Sequence, residues 1–407
     1  MKKMKSFVIV ALFLLALSGC DNMYIENNSA KAAEGKQTIK TFDHLNQPIV
    51  IALPVYDDSY LLGNSEWGVK KIRRGDIIAV IDTEKDEVFD WIFYPGDHDW
   101  SIWRLVEMCS PVKYFMSSKG TGAVACLDPT ETALTVTKTD MYTNFSNLST
   151  AGNYGTLGYC RYNRESPEIS QDICYVQLYN GDTNTLSDTT LDVLNMEGPN
   201  FRNLSSDSDG NFWFVRWLLN NKGYLSKIDC AQERIYGNLA EFDLTLGDDG
   251  CPNEDHFSFC EVTCISADYI MLRYVPAARC KHKSLLYVLD RNDLSKHRTI
   301  EVIDNPCYLL NVYEVGGKFY AVCPESPITK STIHIMELDL DSLKATEIKQ
   351  IHFDMTENVY VRGSRMCFMN SRNPADITYI WYDTSDGSVS EPVRVSADGI
   401  LSSYSGS

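Results

Sequence analysis

The chain has 407 residues, with 37 Lys and Arg against 55 Asp and Glu and a formal net charge of −18. Hydrophobic residues make up 44% and charged residues 23%, a globular balance that excludes disordered, collagenous and coiled-coil chains. An acid surplus of this size also argues against nucleic acid as a partner, because phosphate binding requires clustered cations that displace counterions.

The N-terminus reads as a targeting segment, residues 1–19. Lys2, Lys3 and Lys5 form a positive region, and Phe7 to Leu17 is an apolar run too short to span a bilayer. Leu17-Ser18-Gly19-Cys20 follows and resembles the bacterial lipobox. That resemblance implies cleavage before Cys20 and acylation of its thiol. Each buried methylene contributes roughly 0.8 kcal/mol, so several acyl chains anchor a domain stably. The rival reading is a plain secretory signal that ends in cysteine. Residues 20–37, with Cys20 followed by DNMYIENNSAKAAEGKQ, are polar, without periodicity, and read as a tether. The implied location is the cell envelope, outside the cytoplasm, with membrane contact through the lipid anchor alone.

Twelve further cysteines stand at 109, 126, 160, 174, 230, 251, 260, 264, 280, 307, 323 and 367. An even count of this size suits disulfides in an oxidising compartment. Neighbours such as 109/126, 160/174, 230/251, 264/280 and 307/323 have separations that fit facing strands. Buried free thiols, packing as small hydrophobes, are the alternative. No spacing matches a zinc site.

A repeat organises the rest of the chain. Seven times an alternating apolar strand ends in an acidic position followed by a polar turn. The copies are IIAVID (Ile77–Asp82), AVACLD (Ala123–Asp128), CYVQLY (Cys174–Tyr179), YLSKID (Tyr224–Asp229), LLYVLD (Leu285–Asp290), HIMELD (His334–Asp339) and YIWYD (Tyr379–Asp383). The third copy carries Tyr179 where the others have Asp. An earlier strand precedes each copy, as in Phe212–Leu218, Tyr269–Val275 and Lys318–Cys323, and a later one follows, as in Val88–Tyr94. Helical periodicity is absent. About 50 residues of short antiparallel strands is one blade of a β-propeller, whose faces are buried only by neighbouring blades.

The chain therefore resembles the seven-bladed β-propellers of bacterial envelope lipoproteins. The reading is all-β, a single propeller over residues 38–400 with a tail at 401–407, six or eight blades being the alternatives. The segment Thr38–Pro54 is expected to supply the strand that completes the last blade. The likeness is one of architecture. No copy ends in the Trp-Asp pair of WD repeats, the kelch double glycine recurs nowhere beyond Gly316-Gly317, and the Gly-Trp of quinoprotein repeats is missing.

Catalytic motifs are missing too: there is no phosphate loop, no His-Glu-x-x-His and no Gly-x-Ser-x-Gly. His334, within an alternating strand, reads as a packed or rim residue. Propeller topology brings two classes of connection to one face. The first class holds two acidic loops with histidine, Asp97-His98-Asp99 and Asp248-Asp249 to Asp255-His256. Carboxylates with imidazole are candidate ligands for a divalent cation, the one cofactor considered. The second class, the middle hairpins, carries Arg73, Arg74, Arg164, Lys222, Arg279, Lys281 and Arg372. Such a cationic ring steers anionic groups, and arginine grips carboxylate or phosphate bidentately. Trp100, Trp103, Tyr142, Phe145 and Phe201 are candidates for stacking on sugar rings, or for packing between blades. Two functions fit: a non-catalytic envelope module that binds a protein or glycan, and a hydrolase or lyase acting on an anionic polysaccharide.

Overall fold

The structure, a computed structural model, describes residues 36–61, 70–95, 102–109, 112–118, 123–138, 147–160, 173–192, 204–217, 222–243, 259–275, 284–304, 307–325, 332–355, 359–373 and 376–396. These residues form seven antiparallel sheets and no helix. The first sheet has three strands, β1 (Ile49–Leu61), β2 (Lys70–Asp82) and β3 (Glu87–Pro95). Every other sheet has four strands in chain order. The second holds β4 (Ile102–Cys109), β5 (Val112–Ser118), β6 (Ala123–Leu127) and β7 (Thr135–Lys138). The third holds β8 (Asn147–Ala151), β9 (Tyr154–Cys160), β10 (Ile173–Asn180) and β11 (Thr185–Asp192). In the fourth are β12 (Ser205–Ser206), β13 (Asn211–Trp217), β14 (Lys222–Asp229) and β15 (Arg234–Asp243). The fifth comprises β16 (Phe259–Ile265), β17 (Tyr269–Val275), β18 (Ser284–Asp290) and β19 (His297–Ile303). The sixth comprises β20 (Asn311–Val315), β21 (Lys318–Pro324), β22 (Thr332–Asp339) and β23 (Lys344–His352). The seventh runs through β24 (Val359–Arg362), β25 (Arg365–Asn373), β26 (Asp376–Asp383) and β27 (Val393–Ser396).

The sheets close into a ring because each middle strand is apolar on both faces. On β2, Ile77, Ala79 and Ile81 pack against Cys367, Tyr379 and Trp381 of the seventh sheet. The alternate residues Ile78 and Val80 pack against Tyr114, Met116 and Leu127 of the second. Alternation at period two is what lets one strand serve two neighbours. Five more clusters repeat this from sheet to sheet, through Phe115 and Tyr179, Val176 and Phe214, Leu225 and Leu272, Leu286 and Ala321, and Ile335 and Phe368. The chain is a seven-bladed β-propeller. Each wholly buried Ile, Leu or Phe in these interfaces contributes about 1.5–3 kcal/mol. Outermost strands are polar by contrast; β23 buries little beyond Ile351.

The repeated acidic residue has a local job. It ends the third strand of its blade and its side chain accepts backbone N–H groups of the following turn. Asp82 caps Glu84 at 3.0 Å, Asp290 caps Asn292 at 2.8 Å, and Asp383 caps Ser385 at 2.9 Å. An Asx turn of this kind sets the hairpin. In the third blade Asn180 accepts from Asp182 at 2.9 Å, so the turn residue lies one position beyond Tyr179, which is buried instead.

Two sequence expectations change. Thr38–Pro54 does not complete the last blade, which has four strands of its own. Residues from Ile49 form β1, paired with β2. Residues 36–45 instead cross the outside of the first and second blades: Phe93 N donates to Lys36 O, and Ile39 N donates to Thr132 O at 2.9 Å. Ile39 and Phe42 are buried there because they fill the wedge between the two blades. The cysteines are also decided in part. Cys126, Cys230, Cys264, Cys307, Cys323 and Cys367 are free thiols, so none of these six is in a disulfide. The proposed pair 307/323 is thereby not bonded.

Candidate functional site

The first strands of the blades line the central channel and touch one another in order, β4 with β8, β8 with β12, β12 with β16, and β16 with β20. Between them lies a cavity of about 360 Å³. Its wall includes Val50, Leu105, Glu107, Thr150, Ser205 and Thr263, with Tyr360 from β24.

A girdle of hydrogen bonds joins these strands at the level of the cavity. Thr150 Oγ1 donates to Glu107 O at 2.6 Å, linking the third blade to the second. Ser205 Oγ donates to Val262 O at 2.7 Å, linking the fourth to the fifth. Thr263 Oγ1 is hydrogen-bonded to Asn311 and accepts from Val312 N at 2.9 Å, which carries the girdle into the sixth. Arg362, at the end of β24, donates to Glu107 Oε2 at 2.7 Å and to Pro48 O at 3.1 Å. Hydroxyls occupy these positions because the innermost strands stand too close for large side chains yet border a polar channel. Cys264 also faces the cavity, and burial pushes its thiol up to about 12, so it is protonated at neutral pH. The lining offers hydroxyl and amide groups, one ion-paired carboxylate and a tyrosine. It is equipped to hold a polar ligand by hydrogen bonds.

The residues singled out from sequence lie elsewhere. Cys20, Arg164, Arg279, Lys281, Asp97, His98, Asp99, Asp248, Asp249, Asp255 and His256 fall outside the described residues. So do Trp100, Tyr142, Phe145 and Phe201. Arg73 and Arg74 belong to β2 and not to a hairpin tip: Val55 pairs with Gly75 and Tyr56 with Arg73, leaving Arg74 as the extra residue of a bulge. Arg372 is near the end of β25, and Lys222 begins β14. The Lys222 ammonium is ion-paired with Glu241 of the neighbouring strand, so within the expected cationic ring its charge is already matched. Among the described residues, no three His, Cys, Asp or Glu side chains converge as metal ligands.

His334 is packed as its alternating strand implied. Its Nδ1 lies 2.7 Å from Glu347 Oε2, and its Nε2 lies 3.7 Å from Glu325 Oε1. Sequence reasoning missed Glu107, Thr150, Ser205, Thr263 and Arg362 altogether. Their strands are as short as two residues and carry no periodic signal. The recurrence of Leu-Ser before a third hydroxyl residue, at Leu148-Ser149-Thr150 and Leu204-Ser205-Ser206, was the available clue.

No known family model matches the chain, and no curated protein matches it in sequence. Solved structures do. A protein from Lactobacillus plantarum aligns with a TM-score of 0.52 at 10% identity, covering 89% of this chain and 96% of that one. One of two prolyl endopeptidases studied for inter-domain dynamics aligns with a TM-score of 0.53 at 9% identity, covering 90% of this chain. The match covers 51% of that peptidase, about half its length. A functionally unknown protein from Desulfotomaculum acetoxidans aligns at 11% identity with a TM-score of 0.49, over 78% of this chain and 92% of that one. At such identities the two likenesses above 0.5 concern the fold alone, an all-β ring of seven blades.

Proposed function

We propose that this protein is a lipid-anchored propeller of the cell envelope, a non-catalytic module that binds a protein or glycan partner through one face. The observation that carries the reading is an asymmetry between the two ends of the ring. At one end the strands are joined by tight turns, such as 152–153, 316–317 and 363–364. At the other the joining segments are far longer, as at 161–172, between β9 and β10, and 244–258, between β15 and β16. Variable connections on a rigid scaffold are where binding residues concentrate. The cationic candidates Arg164 and Arg279 and the acidic candidates around His98 and His256 all belong to the long class. Cys20, within the lipobox-like tetrapeptide, is the anchor.

Two experiments test this. Cys20→Ser abolishes partition into the detergent phase, and unchanged partition overturns the anchor. Replacing Arg73, Arg74 and Arg279 together by Ala weakens capture of an anionic partner from panels of envelope proteins and glycans at low salt. The loss shrinks at high salt, because exposed charges more than about 8–10 Å apart are then screened. Full capture by the triple variant at low salt removes the arginines from the proposal.

A further inference from the structure

Six blades have four strands and the first has three. Its β2 carries the repeat found in the third strand of the other six, so β1 and β3 hold the second and fourth positions. The innermost place is vacant among the described residues, and β1 has β2 as its only strand partner. Its channel-side backbone edge therefore borders the cavity, where Val50 of β1 meets Leu105 and Glu107 of β4 and Tyr360 of β24. An unpaired edge of this kind is a template for one more strand.

We propose that this place is filled by the chain's own C-terminal segment, residues 397–407. Three observations converge on it. First, in every blade but the last, the outermost strand leads directly to the innermost strand of the next: β3 to β4, β7 to β8, β11 to β12, β15 to β16, β19 to β20, β23 to β24. β27 is the outermost strand of the seventh blade, its Ser396 pairs with Asp376, and the next blade around the ring is the first. Second, the segment contains Leu401-Ser402-Ser403, identical to Leu204-Ser205-Ser206 at innermost β12 and close to Leu148-Ser149-Thr150 of innermost β8. Third, the length fits. Crossing from fourth to first strand position spans three strand spacings, about 14 Å, which takes four or five extended residues. About six remain, enough to pair with β1 from Ile49 to Pro54, short of the bulge after Val55. Arg362 and Glu107 close the far end of the slot.

Hydrogen exchange on the full chain in detergent tests this without altering the fold. The channel-side amides of residues 49–54 exchange at least about tenfold faster in Leu401→Pro, which removes a ladder donor within the strand, and in a chain ending at Ser396. A peptide of residues 397–407 added in trans restores the slow exchange to the shortened chain. Carboxypeptidase stops short on the unaltered chain, a readout that stands even where both variants fail to fold. Equal exchange in all three chains, or free digestion of the native tail, overturns the proposal. Slow exchange found only in a dimer assigns the slot to a second copy, and protection won by an unrelated extended peptide over the native tail assigns it to a partner. Either result overturns it as well.

Discussion

The guanidinium of Arg362 and the carboxylate of Glu107 meet at 2.7 Å although 255 residues separate them in the chain. They belong to the innermost strands of the seventh and second blades, which are not neighbours in the ring. The pair forms because no innermost strand of the first blade stands between them among the described residues. Arg362 also donates to the carbonyls of Gln47 and Pro48, just before β1 begins. One side chain therefore ties the last blade, the first and the second together at the channel.

Arg362→Ala removes that tie and leaves a half-buried carboxylate and two carbonyls short of a donor. The expected loss is about 2–4 kcal/mol of unfolding free energy, read from urea denaturation at pH 7. Arg362→Lys recovers part of it, because an ammonium reaches one acceptor at a time. A loss under about 0.5 kcal/mol, the size of an ordinary surface substitution, removes the pair from the account of ring closure.

Gly75 sits beside the bulge in β2 with φ of 155°. A Cβ there would lie 2.3 Å from the carbonyl oxygen of Tyr94 and 2.7 Å from the ring of Phe93. Both neighbours belong to the paired strand β3, so relief requires the two strands to separate. Gly75→Ala is expected to cost about 3 kcal/mol or more, at the upper end for overpacking, seen as a fall in thermal midpoint. A midpoint equal to that of the unaltered protein shows that β2 and β3 part easily here.

Asp207 follows β12 and is buried. Burial by itself raises its pKa, but hydrogen bonds from Trp213 and Asn211 and the charge of Arg291 outweigh that and hold the carboxyl below 3.8. A folded pKa below the unfolded one stabilises the protein at higher pH, and that stability is lost as pH falls through the folded value. Asp207→Asn is therefore destabilising at pH 7, and its deficit narrows as the pH is lowered below about 4. Parallel denaturation curves at pH 7, 5 and 3 measure the gap. A constant gap across the series contradicts the linkage.

Burial pushes the thiols of Cys126 and Cys230 up to about 12, and those of Cys323 and Cys367 up as well. A protonated, enclosed thiol is a poor nucleophile. Maleimide at pH 7 should leave these four unlabelled in the native protein, and urea without reductant should expose all four together with Cys307. Mass mapping reads both states. Failure of Cys307 and Cys323 to label in urea until reductant is added indicates a disulfide between them.

Seven blades were legible because each blade is a local unit. An alternating third strand, an acidic turn residue and polar outer residues recur within about 50 positions, and burial on both faces demands the same pattern each time. Asp82, Asp290 and Asp383 could be read as turn residues because an Asx turn closes within two or three residues. The exception, Asn180, is displaced by one position because the turn accepts either amide or carboxylate oxygen at its first residue.

What tertiary structure alone decided are relationships between residues remote in the chain. Nothing near Arg362 announces Glu107, and nothing near Ile39 and Phe42 announces the wedge between two blades that buries them. Innermost strands are short, β12 spanning only Ser205–Ser206, and their hydroxyls answer to the channel rather than to a period along the sequence. The vacant place beside β1 is likewise invisible in a list of repeats, since the repeat marks the third strand and every blade has one. Local periodicity encodes how each blade is built. Ring closure is set where distant ends meet, and such contacts leave no periodic trace because each is made once.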